Sequence, residues 1–384
     1  MDGSPSIGER FRMRREEFGA SLGLTAEWSG LPRDVIDEIE RGARKPTTSQ
    51  FEMLCRGLAV DPGVFFRGEE RAPARTPARF REAVSYYKSD PGDLRILALA
   101  AEVGRVVHGL WKQGGEQYPL EAHRSRAGLV QDDSQTWMQG YDLGERARMA
   151  LSEEERPIQS MKALLEGQGV HVTWASFSTK EIDDASVWEP GAAAVILLNR
   201  SSERTRKTGS RRAILAHELC HLLHDRGESE PLARLSWDEG DGNYNEAVEK
   251  RARAFAPAFL APRPWLKKWR EGLPAEIDPE DLVASVSQHW GLSFEGAAWH
   301  CGNAGMIPRG VDRRIAECSS RPKTGVQEAM FEATEEGTQL GLEGIGAQET
   351  PSETMDGLAS RLVRSLLERG ALSASRAREI VSWR

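Results

Sequence analysis

The sequence lacks the features that mark secreted and membrane-spanning proteins. Its four cysteines, at positions 55, 220, 301 and 318, include no CxxC pair. This argues against a disulfide framework and favours reduced thiols in a cytoplasm. No apolar run approaches the roughly 20 residues that cross a bilayer, and no apolar stretch follows the charged N-terminus, as a signal peptide would require. We therefore expect a cytoplasmic protein without membrane contact.

An excess of positive charge is also missing. The 384 residues carry 51 Lys and Arg against 59 Asp and Glu, a net charge of −8. This balance argues against a chain that binds polyanions over its whole surface, although it is compatible with a local basic face. The length suggests two or three domains.

Helical patterns dominate, with few strand signals, so we predict a mainly α fold with a small β-sheet (α+β). An apolar run at 192–199, "AAAVILLN", is bounded by Pro190 and Asn199 and is typical of a buried or edge strand. The sequence predicts a helical unit at 1–68, a linker that follows it, and a helical C-terminal region with a flexible connector near 337–352.

The segment "AILAHELCHLLHD" contains the pattern His-Glu-x-x-His inside an apolar run. On a helix, His217 and His221 are one turn apart on one face, so their imidazoles can bind one zinc ion. Glu218 lies beside them and can act as general base on a zinc-bound water. The alternative is a buried helix whose histidines bond to backbone carbonyls.

A catalytic zinc needs a third protein ligand. The best donors lie downstream, where Glu246 and Glu249 are three residues apart on a predicted helix and can both face the motif. Spacing alone does not choose between them. His224 is expected to be solvated or bonded to a carbonyl. Cys220 projects about 100° away from His221, and we expect it to be buried and structural.

Several pieces, in order along the chain, resemble the ImmA/IrrE family of bacterial metallopeptidases. They are "LLEGQGVHV", "AVILLN", Arg212, "AHELCHLLH" and "EKRARAFAPAFLAP". The resemblance covers roughly 130–307, which makes that range the predicted metallopeptidase domain. It leaves a linker and helical segment at 69–129 and a helical C-terminal extension at 308–384. It implies a zincin-like metallopeptidase fold and, as in studied members, cleavage of a partner transcriptional repressor, which would place the chain in transcription regulation or a stress response.

The resemblance also bears on the third ligand. The family places a glutamate three residues before the alanine of an alanine-x-x-phenylalanine-alanine run, and here Glu249 holds that position before Ala252. Two departures are Cys220, where the family usually has glycine, and Pro257, where it has a small helix-former. Neither removes a ligand.

Residues 7–66 resemble an Xre-type (Cro/repressor-like) helix-turn-helix. Ala26 occupies the small position of the second helix and Gly30 the turn, while Leu22 stands where the family often has glutamine. The resemblance implies an all-α domain whose third helix can enter the major groove of duplex DNA.

The N-terminal unit lacks the net positive charge that DNA binding favours. Residues 1–68 carry ten Arg and Lys against eleven Asp and Glu, a net charge of −1, whereas phosphate contacts require a basic face. Our candidate DNA contacts are Arg33 and Asp34 in the recognition helix, and Arg14 and Arg15 in the first helix. The alternative is a module that serves homodimerisation or docks another helix-turn-helix protein.

We therefore expect a helix-turn-helix domain followed by a zinc metalloendopeptidase with His217, His221 and Glu249 as ligands and Glu218 as general base. The substrate is expected to be a protein, a repressor or another helix-turn-helix regulator. The strand at 192–199 precedes the motif helix, and an exposed edge there would pair with an extended peptide. The alternative is a DNA-binding regulator whose metal domain senses a signal without proteolysis.

Overall fold

The computed structural model describes residues 5–67, 90–115, 118–120, 136–151, 155–225, 232–237, 246–318, 331 and 357–381. The predicted connector near 337–352 lies outside the described residues, as do residues 69–89 of the predicted linker and helical segment at 69–129. Among the described helices, none combines the length and the hydropathy that a membrane span needs.

Helices dominate the described chain, as predicted, and four strands form one small sheet. In chain order the elements are α1 Ile7–Glu17, α2 Leu22–Ser29, α3 Arg33–Glu40, α4 Thr48–Gly57, α5 Pro62–Arg67, α6 Pro91–Gln113, α7 Thr136–Leu151, α8 Met161–Gly167, β1 His171–Ala175, β2 Ile182–Trp188, β3 Val195–Asn199, α9 Glu203–Arg206, α10 Thr208–Cys220, a π-helical turn His221–Asp225, β4 Leu232–Trp237, α11 Glu246–Leu260, α12 Arg263–Arg270, α13 Pro279–Trp290, α14 Phe294–Asn303, α15 Val311–Cys318, α16 Leu358–Glu368 and α17 Ala374–Val381.

The five N-terminal helices form the expected helix-turn-helix unit. Ser6 begins α1 with a reciprocal cap, in which its hydroxyl accepts from the Glu9 backbone N–H and the Glu9 carboxylate accepts from the Ser6 N–H. Gly30 ends α2 with a φ of 71°, a conformation that glycine adopts without strain. The predicted turn between the second and third helices is therefore present.

The sheet has the strand order β1-β3-β2-β4. Strand β3 is parallel to β1 and antiparallel to β2, and all five of its residues are buried. The expectation that 192–199 offers an exposed edge for a peptide is therefore wrong. Two neighbours already satisfy the backbone of β3, and β1 and β4 are the edge strands.

Helix α6 connects the helix-turn-helix unit to the sheet. Near its N-terminal end, Arg95 Nε donates to the carbonyl oxygen of Gly57 in α4 at 2.6 Å. Further along, the Ala193 N–H donates to the Gly104 carbonyl at 2.9 Å. A Cβ on Gly104 would lie 2.4 Å from the Ala193 oxygen, so the helix and the segment before β3 are in backbone contact.

Helices α7 and α11 also pack with their backbones in contact. A Cβ on Gly140 would lie 2.2 Å from the Arg251 carbonyl oxygen, and one on Gly144 would lie 2.6 Å from that of Phe255. The four-residue spacing puts both glycines on one face of α7. The two glycines leave a groove on α7. This α7 groove allows α11 to lie closer than larger side chains would permit.

The C-terminal helices pack against the main domain. Arg361 of α16 donates to the buried Glu166 carboxylate at 2.6 Å, and the Gln113 side chain at the end of α6 donates to the Ala371 carbonyl. One or two short helices are predicted in this region, and the structure has two. Their packing against α6 and α8 was not predicted.

A fully buried histidine of α14 contacts α7 and Ala261, the residue that follows α11. His300 Nε2 lies 2.7 Å from the Ala261 carbonyl oxygen, which can only accept, so Nε2 carries the proton. Nδ1 then accepts from the Tyr141 hydroxyl at 2.9 Å, and that hydroxyl accepts from Asn303 Nδ2 at 3.1 Å. Burial lowers the pKa of His300 to about 4, so this network requires the neutral ring.

Adding a methyl group in the α7 groove should destabilise the protein. Gly140→Ala forces a Cβ against the Arg251 backbone, which cannot rotate away as a side chain would. We expect a loss of about 1–3 kcal/mol and a midpoint of thermal unfolding several degrees lower. The control is Gly109→Ala in α6, where the added Cβ meets nothing within 4 Å and the helix should be stabilised. Equal midpoints for both variants would contradict the groove.

The stability of the protein should depend on pH through His300. Well above pH 6.5 the ring is neutral in both folded and unfolded chains. As the pH falls from 6.5 toward 4, only the unfolded state takes up the proton, so stability decreases, and below about pH 4 this contribution is constant. The gap between a pKa of 6.5 and one of about 4 corresponds to about 3 kcal/mol.

The test compares thermal midpoints at pH 7.5 and pH 5.0 in the wild type and His300→Gln. Glutamine retains a donor and an acceptor but does not titrate. The variant should start from a lower midpoint and lose less of it on acidification. An unchanged loss would mean that His300 contributes nothing to the acid sensitivity.

Candidate metal centre

The two motif histidines converge at the end of α10. His217 lies in its last turn and His221 begins the π-helical turn that follows. Their Nε2 atoms are 2.9 Å apart. His221 is fully buried, whereas the side chain of His217 is 14% exposed, so the pair opens to one side only.

Glu249 reaches the same point from α11. Its Oε2 atom lies 3.3 Å from His217 Nε2, and its Oε1 atom lies 3.6 Å from His221 Nε2. The side chain of Glu246, the competing donor, lies outside the described residues. The structure thus brings together the three side chains that the sequence predicts as ligands.

Glu218 lies beside this group. It is fully buried, and its Oε1 atom is 3.8 Å from His217 Nε2. It follows His217 directly in the helix, so it flanks the donor atoms and does not share their face. A carboxylate in this position can exchange a proton with a molecule bound next to the histidines.

A second carboxylate fixes the orientation of His221. Asp225, four residues later, has its Oδ2 atom 2.6 Å from His221 Nδ1. A carboxylate only accepts, so Nδ1 carries the proton and Nε2 keeps its lone pair, which is the form that binds metal. The other Asp225 oxygen accepts from the guanidinium of Arg251 on α11.

The donor set fits a tetrahedral zinc ion. Bonds of 2.0–2.1 Å at tetrahedral angles place neighbouring donor atoms about 3.3 Å apart. The two histidine nitrogens are 2.9 Å apart. One Glu249 oxygen lies 3.3 Å from His217 and the other lies 3.6 Å from His221, so all three distances are close to that value. Two imidazoles and one carboxylate are a common ligand set of catalytic zinc, which leaves its fourth position to water or substrate.

Two other residues near the motif have distinct environments. Cys220 is fully buried, as its direction on the helix predicts. His224 packs against Phe255 with ring centroids 6.0 Å apart, and its Nε2 is buried without a hydrogen bond in the described structure. Burial lowers the pKa of His224 to about 4. This ring is therefore neutral near pH 7 and is less solvated than expected.

Helix α10 is held by a buried arginine in its N-terminal half. Arg212 donates through Nη2 to the Ile158 carbonyl at 2.7 Å and through Nε to the Gly291 carbonyl at 3.0 Å. Its guanidinium carbon lies 4.3 Å from the ring centroid of Phe331. One side chain thus connects the motif helix to two loops and a distant aromatic residue.

The candidate DNA contacts fall into two groups. Arg33 and Asp34 are exposed at the start of α3, where a ligand could reach them. Arg14 is buried and donates to the carbonyls of Leu58 and Ala59, both at 3.2 Å.

Arg15 is also engaged inside the module. Its guanidinium forms a bidentate pair with the buried carboxylate of Glu40, with both closest contacts at 2.8 Å. The structure therefore places Arg14 and Arg15 between helices and not on the basic face that the sequence suggested. Both use their several donors to satisfy internal acceptors, which counting charges along the chain does not reveal.

Two family models match the chain. Residues 165–298 match a peptidase family described as the IrrE N-terminal-like domain, and residues 6–64 match a helix-turn-helix domain. A search of the curated proteins found no match. The chain therefore joins a helix-turn-helix domain to a metallopeptidase-type domain, as the sequence resemblance implied. The match at 165–298 spans all four residues of the candidate centre.

Replacing single glutamates should identify the third ligand. We expect the wild type to retain one zinc per chain after dialysis, and Glu249→Ala to lose most of it because only two donors remain. Glu246→Ala is the matched control on the same helix and should retain zinc. Metal analysis of the purified proteins decides the assignment, and loss from Glu246→Ala alone would reverse it.

Proposed function

Because the chain joins an IrrE N-terminal-like domain to a helix-turn-helix domain, we propose that it is a zinc-dependent endopeptidase that cuts a partner protein. The observation that carries this proposal is the convergence of His217, His221 and Glu249 beside the buried Glu218. The three donors would hold the metal, and Glu218 would be the general base.

When bound, zinc would polarise the substrate carbonyl and lower the pKa of the attacking water. Glu218 has a separate role. Its carboxylate accepts a proton from the water as oxygen bonds to the carbonyl carbon. It then donates that proton to the amide nitrogen as the carbon–nitrogen bond breaks. The remaining proton of the water passes from the new carboxyl group to the new amine. The products are a carboxylate and an ammonium group, and Glu218 regains its starting state.

The substrate would approach as an extended segment. Strand β3 is enclosed, so main-chain pairing would have to use an outer strand of the sheet. Among the described strands, β4 pairs only with β2, and it follows the motif helix in the chain. An extended peptide can add to such an edge through backbone hydrogen bonds, which select for conformation more than for sequence.

The helix-turn-helix module would select the partner. Around the exposed face of α3, Asp37 pairs with Arg41 at 2.7 Å and Glu38 approaches Arg44 at 3.7 Å, so acidic and basic groups alternate. Phosphate backbones require a basic face, whereas mixed charges suit a complementary protein surface. We infer that this module docks another helix-turn-helix regulator, which is then cut.

Glu218→Gln should abolish cleavage while leaving metal binding intact. Glutamine preserves the volume of the side chain but cannot accept the proton of water, and loss of a positioned base typically costs about 10²–10⁴-fold in rate. The measurement is a comparison of new protein N-termini in cells that express wild type, Glu218→Gln or His217→Ala. We expect specific new termini only with the wild type.

The control for this comparison is Glu295→Gln, which changes an exposed glutamate on α14 of the same domain. It should produce the same termini as the wild type. If Glu218→Gln regulates transcription as well as the wild type and no partner is cut, the chain is a metal-dependent sensor and the peptidase proposal fails.

A further inference from the structure

We propose that Asp225 is a positioning residue for the metal centre, and that Arg251 holds it in place from the helix that carries Glu249. This inference rests on the proposed zinc site. It assigns roles to two residues that the motif does not include, and it predicts how the metal affinity of the chain is set.

The first support is the placement of the Asp225 carboxylate. Its side chain is 5% exposed, and its two oxygens have different partners. One oxygen lies 2.6 Å from His221 Nδ1, on the opposite side of the ring from Nε2. Asp225 therefore faces away from the donor atoms and contacts the imidazole of a proposed ligand.

The second support is the protonation state that this contact imposes. A neutral imidazole carries one proton, and the carboxylate draws it to Nδ1. The Nε2 lone pair of His221 then points toward His217 Nε2 and Glu249 Oε1, at 2.9 and 3.6 Å. Without Asp225, the ring could place its proton on Nε2 or rotate, and either change removes a donor.

The third support is the position of Arg251 on the helix that carries Glu249. It lies two residues after Glu249 on α11, and its guanidinium donates to the second oxygen of Asp225. This positive charge offsets a carboxylate that is nearly excluded from water, which would otherwise be costly. Helix α11 thus acts on His221 from two sides, through Glu249 at Nε2 and through Arg251 and Asp225 at Nδ1.

A carboxylate that orients a ligating histidine typically contributes 10–100-fold to metal affinity. Asp225→Asn keeps the volume of the side chain but removes the charge, and its amide can present a donor to His221. We expect zinc affinity to fall by about 10–100-fold. Arg251→Met should weaken zinc binding by a smaller factor, because Asp225 remains in contact with His221 but loses its fixed position.

The experiment measures zinc affinity of the full-length chain by competition with a chelator of known affinity. The matched control is Glu145→Gln, which breaks the Glu145–Arg263 pair between α7 and α12 in the same domain, with a contact of 2.7 Å. This control should bind zinc as tightly as the wild type. A second readout is nitrogen NMR of the metal-free proteins, which reports the ring nitrogen that carries the proton.

We expect His221 to be protonated at Nδ1 in the wild type and to lose that preference in Asp225→Asn. If the wild type binds no zinc, the proposed function itself fails. If the wild type binds zinc and Asp225→Asn binds equally well, or if Glu145→Gln weakens binding to the same degree, Asp225 has no positioning role. An unchanged affinity in Arg251→Met would remove Arg251 from the proposal.

Discussion

The candidate centre depends on how closely helix α11 approaches helix α7. At Gly140 and Gly144 the two backbones touch, with no room for a single added carbon. From the same helix, the side chains of Glu249 and Arg251 reach the end of α10 and the turn that follows it. Because donor distances at a metal tolerate only about 0.2 Å, an outward displacement of α11 would separate Glu249 from the histidines. Two glycines far from the motif thereby fix the position of the proposed third ligand.

Helix α10, which carries the motif, must also be held in place at its N-terminal end. Arg212 holds it there, because a guanidinium offers five donors in a fixed plane and can satisfy carbonyls on two loops at once. The C-terminal end is held by Asp225 and Arg251. Between these two anchors lie His217 and His221, so their direction is set before any metal binds. Because the side chains are already oriented, little of the free energy of metal binding is lost in ordering them.

The sequence predicts the parts of the centre that are local in the chain. His217, Glu218 and His221 follow from helical spacing. Glu249 was chosen only with the help of the family pattern, because Glu246 fits the same spacing. Asp225 could have been found as the next residue at a four-residue interval after His221. Arg251 could not, because its partner lies on another element and nothing in a single sequence shows which helices meet.

The predictions that the structure contradicts are wrong for one physical reason, which is that they depend on contacts between distant parts of the chain. The segment at 192–199 was identified as a strand, but its interior position depends on β1 and β2, which lie elsewhere in the chain. Arg14 and Arg15 were counted as surface charges, yet long side chains can turn inward when carbonyls or a buried Glu40 receive them. Strand order and side-chain direction depend on tertiary packing. The hydrophobic repeats of strands (every 2 residues) and helices (every 3.6 residues) do not predict them.

Helix α6 would allow the proposed endopeptidase to combine a site of little sequence selectivity with a defined partner. It contacts α4 through Arg95 and the segment before β3 through Gly104, and β3 leads directly into α9 and the motif helix. A protein docked on α3 would therefore be held on the same framework as the metal ligands. Tethering of this kind raises the effective concentration of a flexible segment near the centre by orders of magnitude. Recognition can then reside in the helix-turn-helix module, and the peptidase domain needs only to accept an extended chain.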